Sequence, residues 1–268
     1  MFKNRYDIPL KTSIDIFHIR KSCRIVEKTL IYLKQFIVPG ITTGELDRKA
    51  EQFILEQKAR PALKGFDGFP AVICTSVNTV AAHGIPSSQV LCSGDILTID
   101  LSVELDGWYG DAAWTYLVGE GDTSTRHLLK AAWQASLAGV LAVKAGGRLG
   151  NPGYFISKTA KRLGCCVLEG FGGHGIGRQL HEDPVIPHFG KKNTGMRIVP
   201  GMVFTIEPIL SLGKIQTNIG HDGWAIQTVD DCITAQFEHT VAVFKDKVEI
   251  LTFSEKINQK TIDYPPYF

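Results

Sequence analysis

The chain carries almost no net charge: 29 Lys and Arg against 27 Asp and Glu leave +2 over 268 residues. A surplus this small lacks the basic density with which proteins hold nucleic-acid phosphates, so no nucleic-acid partner is expected. No apolar run approaches the roughly 20 residues that a spanning helix needs, and no membrane association is expected. The opening residues, MFKNRYDIPLKTS, are polar and charged without an apolar segment, so no secretory signal is expected and the setting is read as cytoplasmic. Cysteines are few: Cys23, Cys74, Cys92, Cys165, Cys166 and Cys232. They form no C-x-x-C pair, which excludes a zinc ribbon, and they suit reduced, mostly buried thiols better than a disulfide framework. Low-complexity stretches and linkers are missing as well, so the chain is not divided by composition.

What is present is ordinary globular sequence, 44% apolar and 21% charged, and long enough for a substantial core. Residues 1–268 are expected to form one domain, with 1–11 as an N-terminal extension. Thr12 and Asp15 have capping-box spacing, and apolar residues recur at helical intervals from Ile14 to Phe36 before Pro39-Gly40. Thr42 and Glu45 open a second helix, expected to reach about Gln57. β-rich sequence begins near Val72. Between Ile96 and Val103, Leu97, Ile99, Leu101 and Val103 alternate with Thr98, Asp100 and Ser102. Asp106-Gly107 signals a hairpin, with Trp108 to Val118 as the return strand. Helices are expected over Thr123–Lys144 and Pro152–Leu163, then strands over Val203–Leu210, Trp224–Val229 and Glu238–Phe244. Helices, hairpin, helices and strands in that order imply an α+β fold of two αβ halves.

Asp100 and Asp111 flank the hairpin turn. If Leu105-Asp106 forms the loop, they lie directly opposite each other; if Asp106-Gly107 forms it, Asp111 faces Ser102 and lies diagonal to Asp100. Both registers put the two carboxylates on one face. Like charges so close call for a cation, and a metal ion supplies one, although a solvated hairpin face is the alternative. Glu207 in VFTIEPI and Glu238 in FEHTVAV add two carboxylates inside apolar, strand-like runs, where an unpaired charge is costly. No neighbouring Lys or Arg supplies the cation. His174 sits in GFGGHGIG, where glycines permit close backbone approach. That segment also matches G-x-G-x-x-G. The early Pro184 and the missing acidic residue about twenty positions on exclude a dinucleotide site. His181-Glu182 begins H-E-x-x-H, but Val185 ends it. Four carboxylates and an imidazole suit Mn²⁺, Fe²⁺, Co²⁺ or Zn²⁺, and are too many for one ion.

The stretches VPGITTGELD, AAHGIP, GDILTIDLSVELDGWYGD, GGHGIG with His181, FTIEPIL and FEHTVAV resemble, jointly and in order, the type I methionine aminopeptidases of the M24 metallopeptidases. The likeness runs from about Lys11 to Val248. It implies the pita-bread fold: two αβ halves related by a pseudo-twofold, with a central curved antiparallel sheet flanked by helices. It implies two divalent metal ions held by Asp100, Asp111, His174, Glu207 and Glu238, with Asp111 and Glu238 bridging, and a metal-bound hydroxide that attacks the first peptide carbonyl. By the same resemblance, Glu207 also moves protons, and His83 and His181 position the scissile amide, stabilise the intermediate and pass a proton to the leaving amine.

The resemblance further implies a methionine pocket of Phe66, Phe69, Cys74 and Trp224, and a monovalent cation near Asn78, Val80 and Thr234. The chain departs from the family at Leu63, where a cysteine is common, at Leu180, where an aromatic is usual, and at Ala112-Ala113-Trp114, where small hydroxyl residues are commoner. These departures bear on the pocket's shape and its strictness for methionine. The implied role is removal of the initiator methionine from nascent chains with a small second residue, by a monomer, at the ribosome. Two alternatives stand beside it: an Xaa-Pro aminopeptidase or prolidase, and a pita-bread protein that binds partners without catalysis.

Overall fold

The computed structural model describes residues 2–3, 8–214 and 216–254. Helix α1 spans Ser13–Lys34. Thr12 Oγ1 accepts the Asp15 N–H at 3.2 Å and Asp15 Oδ2 accepts the Thr12 N–H at 2.8 Å, so Asp completes the reciprocal box despite its shorter side chain. The helix stops short of Phe36 because its end tightens: Phe36 N–H turns back to Leu33 O and Ile37 N–H to Lys34 O. Helix α2, Thr43–Glu56, starts from the matching Thr42–Glu45 box. Strands β1 (Cys74–Val77), β2 (Val80–Ala82), β3 (Ile96–Leu105) and β4 (Trp108–Leu117) follow.

The β3–β4 hairpin settles the register. Asp106 at φ 55° and Gly107 at φ 76° form the two-residue loop, the turn whose twist matches the flanking strands. Leu105 therefore pairs with Trp108 and Ser102 with Asp111, which puts Asp111 diagonal to Asp100.

Helix α3 is Thr123–Leu141, capped by Asp122 Oδ1 on the Thr125 N–H at 2.7 Å, and it ends three residues before the expected Lys144. Helix α4, Gly150–Arg162, begins two residues ahead of Pro152. A proline fits there because N–H groups of the first turn have no partner in the helix.

The later strands that build the site are β5 (Gly172–Gly175), β6 (Glu182–Pro187), β7 (Val203–Ile206), β8 (Ile209–Ser211), β9 (Ile226–Thr228), β10 (Thr234–Gln236) and β11 (His239–Val243). Three expectations change here. The Val203–Leu210 run is two strands, broken at Glu207-Pro208: β7 pairs with β11, whereas β8 pairs with β10. Pro208 has no N–H to continue a ladder, which explains the break. Glu238 likewise falls between β10 and β11 rather than inside a strand. Trp224 precedes the shortened β9 rather than opening it, and His174 lies on β5.

Every strand pairing among the described residues is antiparallel. The two halves meet where β4 touches the β10–β11 segment. There Ala113 O accepts the Glu238 N–H, Thr115 Oγ1 accepts the Gln236 N–H, and Asp111 O accepts from Thr240 Oγ1, each at 2.8 Å. Behind this seam the buried Trp133 of α3 meets Phe237, His239 and Phe253 edge-on. Among the described residues, no helix is long and apolar enough to cross a membrane.

Helix α1 lies directly on β4. Ser22 Oγ donates to Trp108 O at 2.8 Å, and a Cβ on Gly110 would come within 2.5 Å of Cys23 N. Gly110→Ala is therefore expected to cost about 1–3 kcal/mol by forcing helix and strand apart next to Asp111. Urea unfolding checks this; an unchanged midpoint contradicts it.

Candidate metal centre and active-site cavity

The two halves bring their acidic residues to one cavity of about 320 Å³. β3 supplies Asp100, β4 Asp111, β5 His174, the β7–β8 break Glu207 and the β10–β11 break Glu238; all five line it. Ligand atoms of Asp111, His174 and Glu238 lie within 4.8 Å of one another. His174 Nε2 stands 3.5 Å from Asp111 Oδ2 and 3.7 Å from Glu207 Oε1. Asp100 lines the same cavity without joining that tight trio.

Neighbouring groups fix these side chains. Ser102 Oγ donates to Asp111 Oδ1 at 2.8 Å, as the hairpin register requires. Thr205 Oγ1 accepts the His174 N–H at 3.0 Å and donates to Glu207 Oε1 at 2.7 Å. His174 Nδ1 lies 3.0 Å from Gly175 O, so a proton on Nδ1 frees Nε2 to face the carboxylates, the orientation of a metal-binding imidazole.

The electrostatics are those of an anionic cluster. Burial, then the charges of Asp111 and Glu207, pushes Asp100 well above the ordinary carboxylate range. Burial, then Asp111, Glu207 and Asp100, does the same to Glu238. Burial lifts Glu207 to about 7. His174 rises to about 9: burial opposes the shift, but the Asp111 hydrogen bond and the Glu207 charge outweigh it. Among the described residues, no Lys or Arg lines the cavity. Glu238 Oε1 is buried with no hydrogen-bond partner. An orphaned buried carboxylate oxygen among three other carboxylates fits a divalent cation, which would both neutralise the charge and take the free lone pair.

Without metal, the protein is expected to lose stability as pH rises. Glu207 rises from 4.5 to about 7 and His174 from 6.5 to about 9, so the folded chain binds more protons than the unfolded chain across that interval. Stability is then lost as pH rises through the interval. Saturating Mn²⁺ is expected to stabilise more as pH rises, because metal competes with those protons. Thermal midpoints in chelator and in Mn²⁺ check both; a chelated protein that gains stability with pH contradicts the scheme.

Two more histidines face the cavity. His83 sits just beyond β2 at φ 55°, a left-handed backbone, and burial lowers its pKa. The His181 ring centroid is 4.2 Å from that of His174 and 5.0 Å from that of Phe66, and burial, then the His174 charge, lowers its pKa. Both are neutral near neutral pH and free to accept or give a proton.

The apolar wall gathers Phe66, Phe69, Cys74 and Trp224, with Phe69 edge-on to Trp224 at 5.2 Å. Leu63 joins this wall. Leu180 is buried in a cluster with Ile16, Ile19 and Ile176, against which Leu63 and Phe66 of the wall pack, and neither it nor Ala112-Ala113-Trp114 lines the cavity itself. Away from the cavity, Thr234 Oγ1 lies 3.3 Å from Asn78 O and 3.1 Å from Val80 O, which brings the three residues of the expected monovalent-cation site together.

Some residues in and around the cavity escaped the sequence. Phe171 and Asp67 line it and carry no local signal. Thr205 could have been found, since it lies two residues from Glu207 and alternation puts both on one face. His188 is fully buried with no motif around it; burial, then the His174 charge, pushes its pKa down to about 3.

Residues 18–245 match metallopeptidase family M24. The chain is similar to the methionine aminopeptidase of Rickettsia prowazekii, 39% identical over 97% of this chain and 99% of the relative. It is also similar to methionine aminopeptidase 1 of Bacillus subtilis, 43% identical over 90% and 98%. The crystal structure of the Rickettsia enzyme superposes with a TM-score of 0.91, covering 92% of this chain and all of that one. A prolidase from Pyrococcus furiosus shares the fold at a TM-score of 0.73 and 23% identity, and the chain spans 66% of its length. The α+β pita-bread arrangement implied by the sequence is the fold of this chain.

Proposed function

The chain belongs to metallopeptidase family M24, and from that premise we propose that it is a methionine aminopeptidase, removing the initiator methionine from chains whose second residue is small. The observation that carries this is the juxtaposition in one cavity of the carboxylate–imidazole cluster with the wall of Phe66, Phe69, Cys74 and Trp224. An unbranched apolar side chain with a polarizable sulfur suits a wall of aromatic rings and a thiol.

Asp100, Asp111, His174, Glu207 and Glu238 would hold two divalent ions. Once bound, such ions supply Lewis-acid polarisation and a water nucleophile at neutral pH. The chain's own residues do the rest. The apolar wall holds the methionine side chain and orients the first peptide bond over the cluster. Glu207, held by Thr205 Oγ1, takes and returns a proton. His83 and His181 hydrogen-bond the scissile amide, stabilise charge on its oxygen and deliver a proton to the leaving amine. The donor set suits Mn²⁺, Fe²⁺, Co²⁺ or Zn²⁺, and availability decides among them. The substrate is a nascent chain's N-terminus, met at the ribosome by a cytoplasmic monomer. A monovalent cation held by Asn78, Val80 and Thr234 completes the reading.

With Mn²⁺ or Co²⁺ added, Met-Ala-Ser is expected to release methionine and Met-Phe-Ser is not. Cleavage confined to Xaa-Pro peptides would assign the chain to prolidase chemistry instead.

A further inference from the structure

We infer that His188 is a positioning residue that sets the distance between two candidate ligands, His174 and Glu207, by clamping the backbone beside each of them. This rests on the metal reading of the cavity given above.

His188 lies one residue beyond β6 and is fully buried. Its Nε2 accepts two backbone N–H groups: that of Gly173 at 3.1 Å and that of Glu207 at 3.2 Å. Gly173 immediately precedes His174. Glu207 lies one residue past the end of β7, at the break enforced by Pro208, where its N–H has left the strand ladder. A single ring nitrogen thus joins β5 to the β7–β8 break and satisfies two buried donors that would otherwise be costly to bury. The two strands are already pressed together: a Cβ on Gly173 would meet Thr205 O at 2.2 Å. The clamp is itself anchored, since His188 O accepts from Ser157 Oγ of α4 at 3.3 Å.

The arrangement fixes the ring's chemistry. An Nε2 that accepts has no proton, so the neutral ring carries it on Nδ1. Nδ1 is buried with no partner, which marks Nε2 as the nitrogen the site was built around. Thr205 Oγ1 ties the His174 N–H to the Glu207 carboxylate. His188 ties the Gly173 and Glu207 backbones from behind. Loss of the His188 acceptor frees both donors and lets the 3.7 Å spacing of His174 Nε2 and Glu207 Oε1 drift.

Three variants test this by Mn²⁺ binding, followed by electron paramagnetic resonance on the full chain after chelation. His188→Leu keeps volume and loses the acceptor, and is expected to weaken Mn²⁺ about 10–100-fold. His188→Gln reaches far enough to put an amide oxygen near the Nε2 position, and is expected to bind within a few-fold of the unaltered protein. His188→Asn is too short and is expected to behave like Leu. Unaltered binding in the Leu or Asn variant, or equal losses in Gln and Asn, would overturn the proposal. Should Leu fail to fold, the Gln–Asn comparison still decides. The metal-free, unaltered protein gives an independent readout: long-range nitrogen–proton spectra should show His188 as the Nδ1–H tautomer, and an Nε2–H tautomer overturns the clamp. If the unaltered protein binds no Mn²⁺, the metal reading fails, and the tautomer alone decides the role of His188.

Discussion

Glu238→Gln is expected to lower kcat/KM by about a thousandfold or more while raising the thermal midpoint of the metal-free protein. Several kcal/mol of transition-state stabilisation rest on the ions, and each 1.36 kcal/mol is a factor of ten. The opposite sign for stability follows from the cluster. Glu238 is 2% exposed, its Oε1 has no partner, and three neighbouring carboxylates repel its charge. A neutral amide of the same shape removes that repulsion. Relief of about 1 kcal/mol moves the midpoint by about 2–4 °C in a chain of this size. The backbone stays in place, because the Glu238 N–H remains bonded to Ala113 O. Lower activity with a lower midpoint would mean that the carboxylate is structural. Unchanged activity would remove it from the metal centre.

His83→Ala is expected to cut kcat by about 10²–10⁴-fold, the range for a positioned proton donor or acceptor. KM should move only a few-fold and Mn²⁺ binding should not move. His83 lines the cavity from a left-handed backbone at φ 55°. A non-glycine residue costs energy in that conformation, and such strain collects at working sites. The preceding Ala82 ends β2, and Gly84 is pinned against Thr75 O, so the ring's placement is set from both sides. Steady-state kinetics with Met-Ala-Ser separate the constants. A rise in KM alone would make His83 a binding residue only.

Much of this was legible before any coordinates, for identifiable reasons. Alternation with period two placed Asp100 and Asp111 on one face whichever register the turn took. The choice between registers needed backbone geometry, and positive φ at both Asp106 and Gly107 made it. Both capping boxes were readable because they depend on residues three apart. Helix ends were less so, since α1 closes through tightened turns that no residue type marks. Glu207 and Glu238 read as strand residues because their neighbours are apolar; in fact each occupies a break where the chain passes from one sheet to another. That is why their carboxylates can reach a common point. Leu180 looked like a pocket residue by resemblance, yet it does not line the cavity and is buried in the cluster of Ile16, Ile19 and Ile176, against which Phe66 packs. His188 was invisible because its partners are backbone groups of residues far away in sequence, Gly173 and Glu207, joined only by the fold.

Metal-dependent methionine release tests the centre most directly. Protein stripped by chelator and assayed with Met-Ala-Ser should be inactive, and methionine release should return as Mn²⁺ is titrated back. Release that survives chelation, or none at any Mn²⁺ concentration, would contradict a dinuclear aminopeptidase centre at Asp100, Asp111, His174, Glu207 and Glu238.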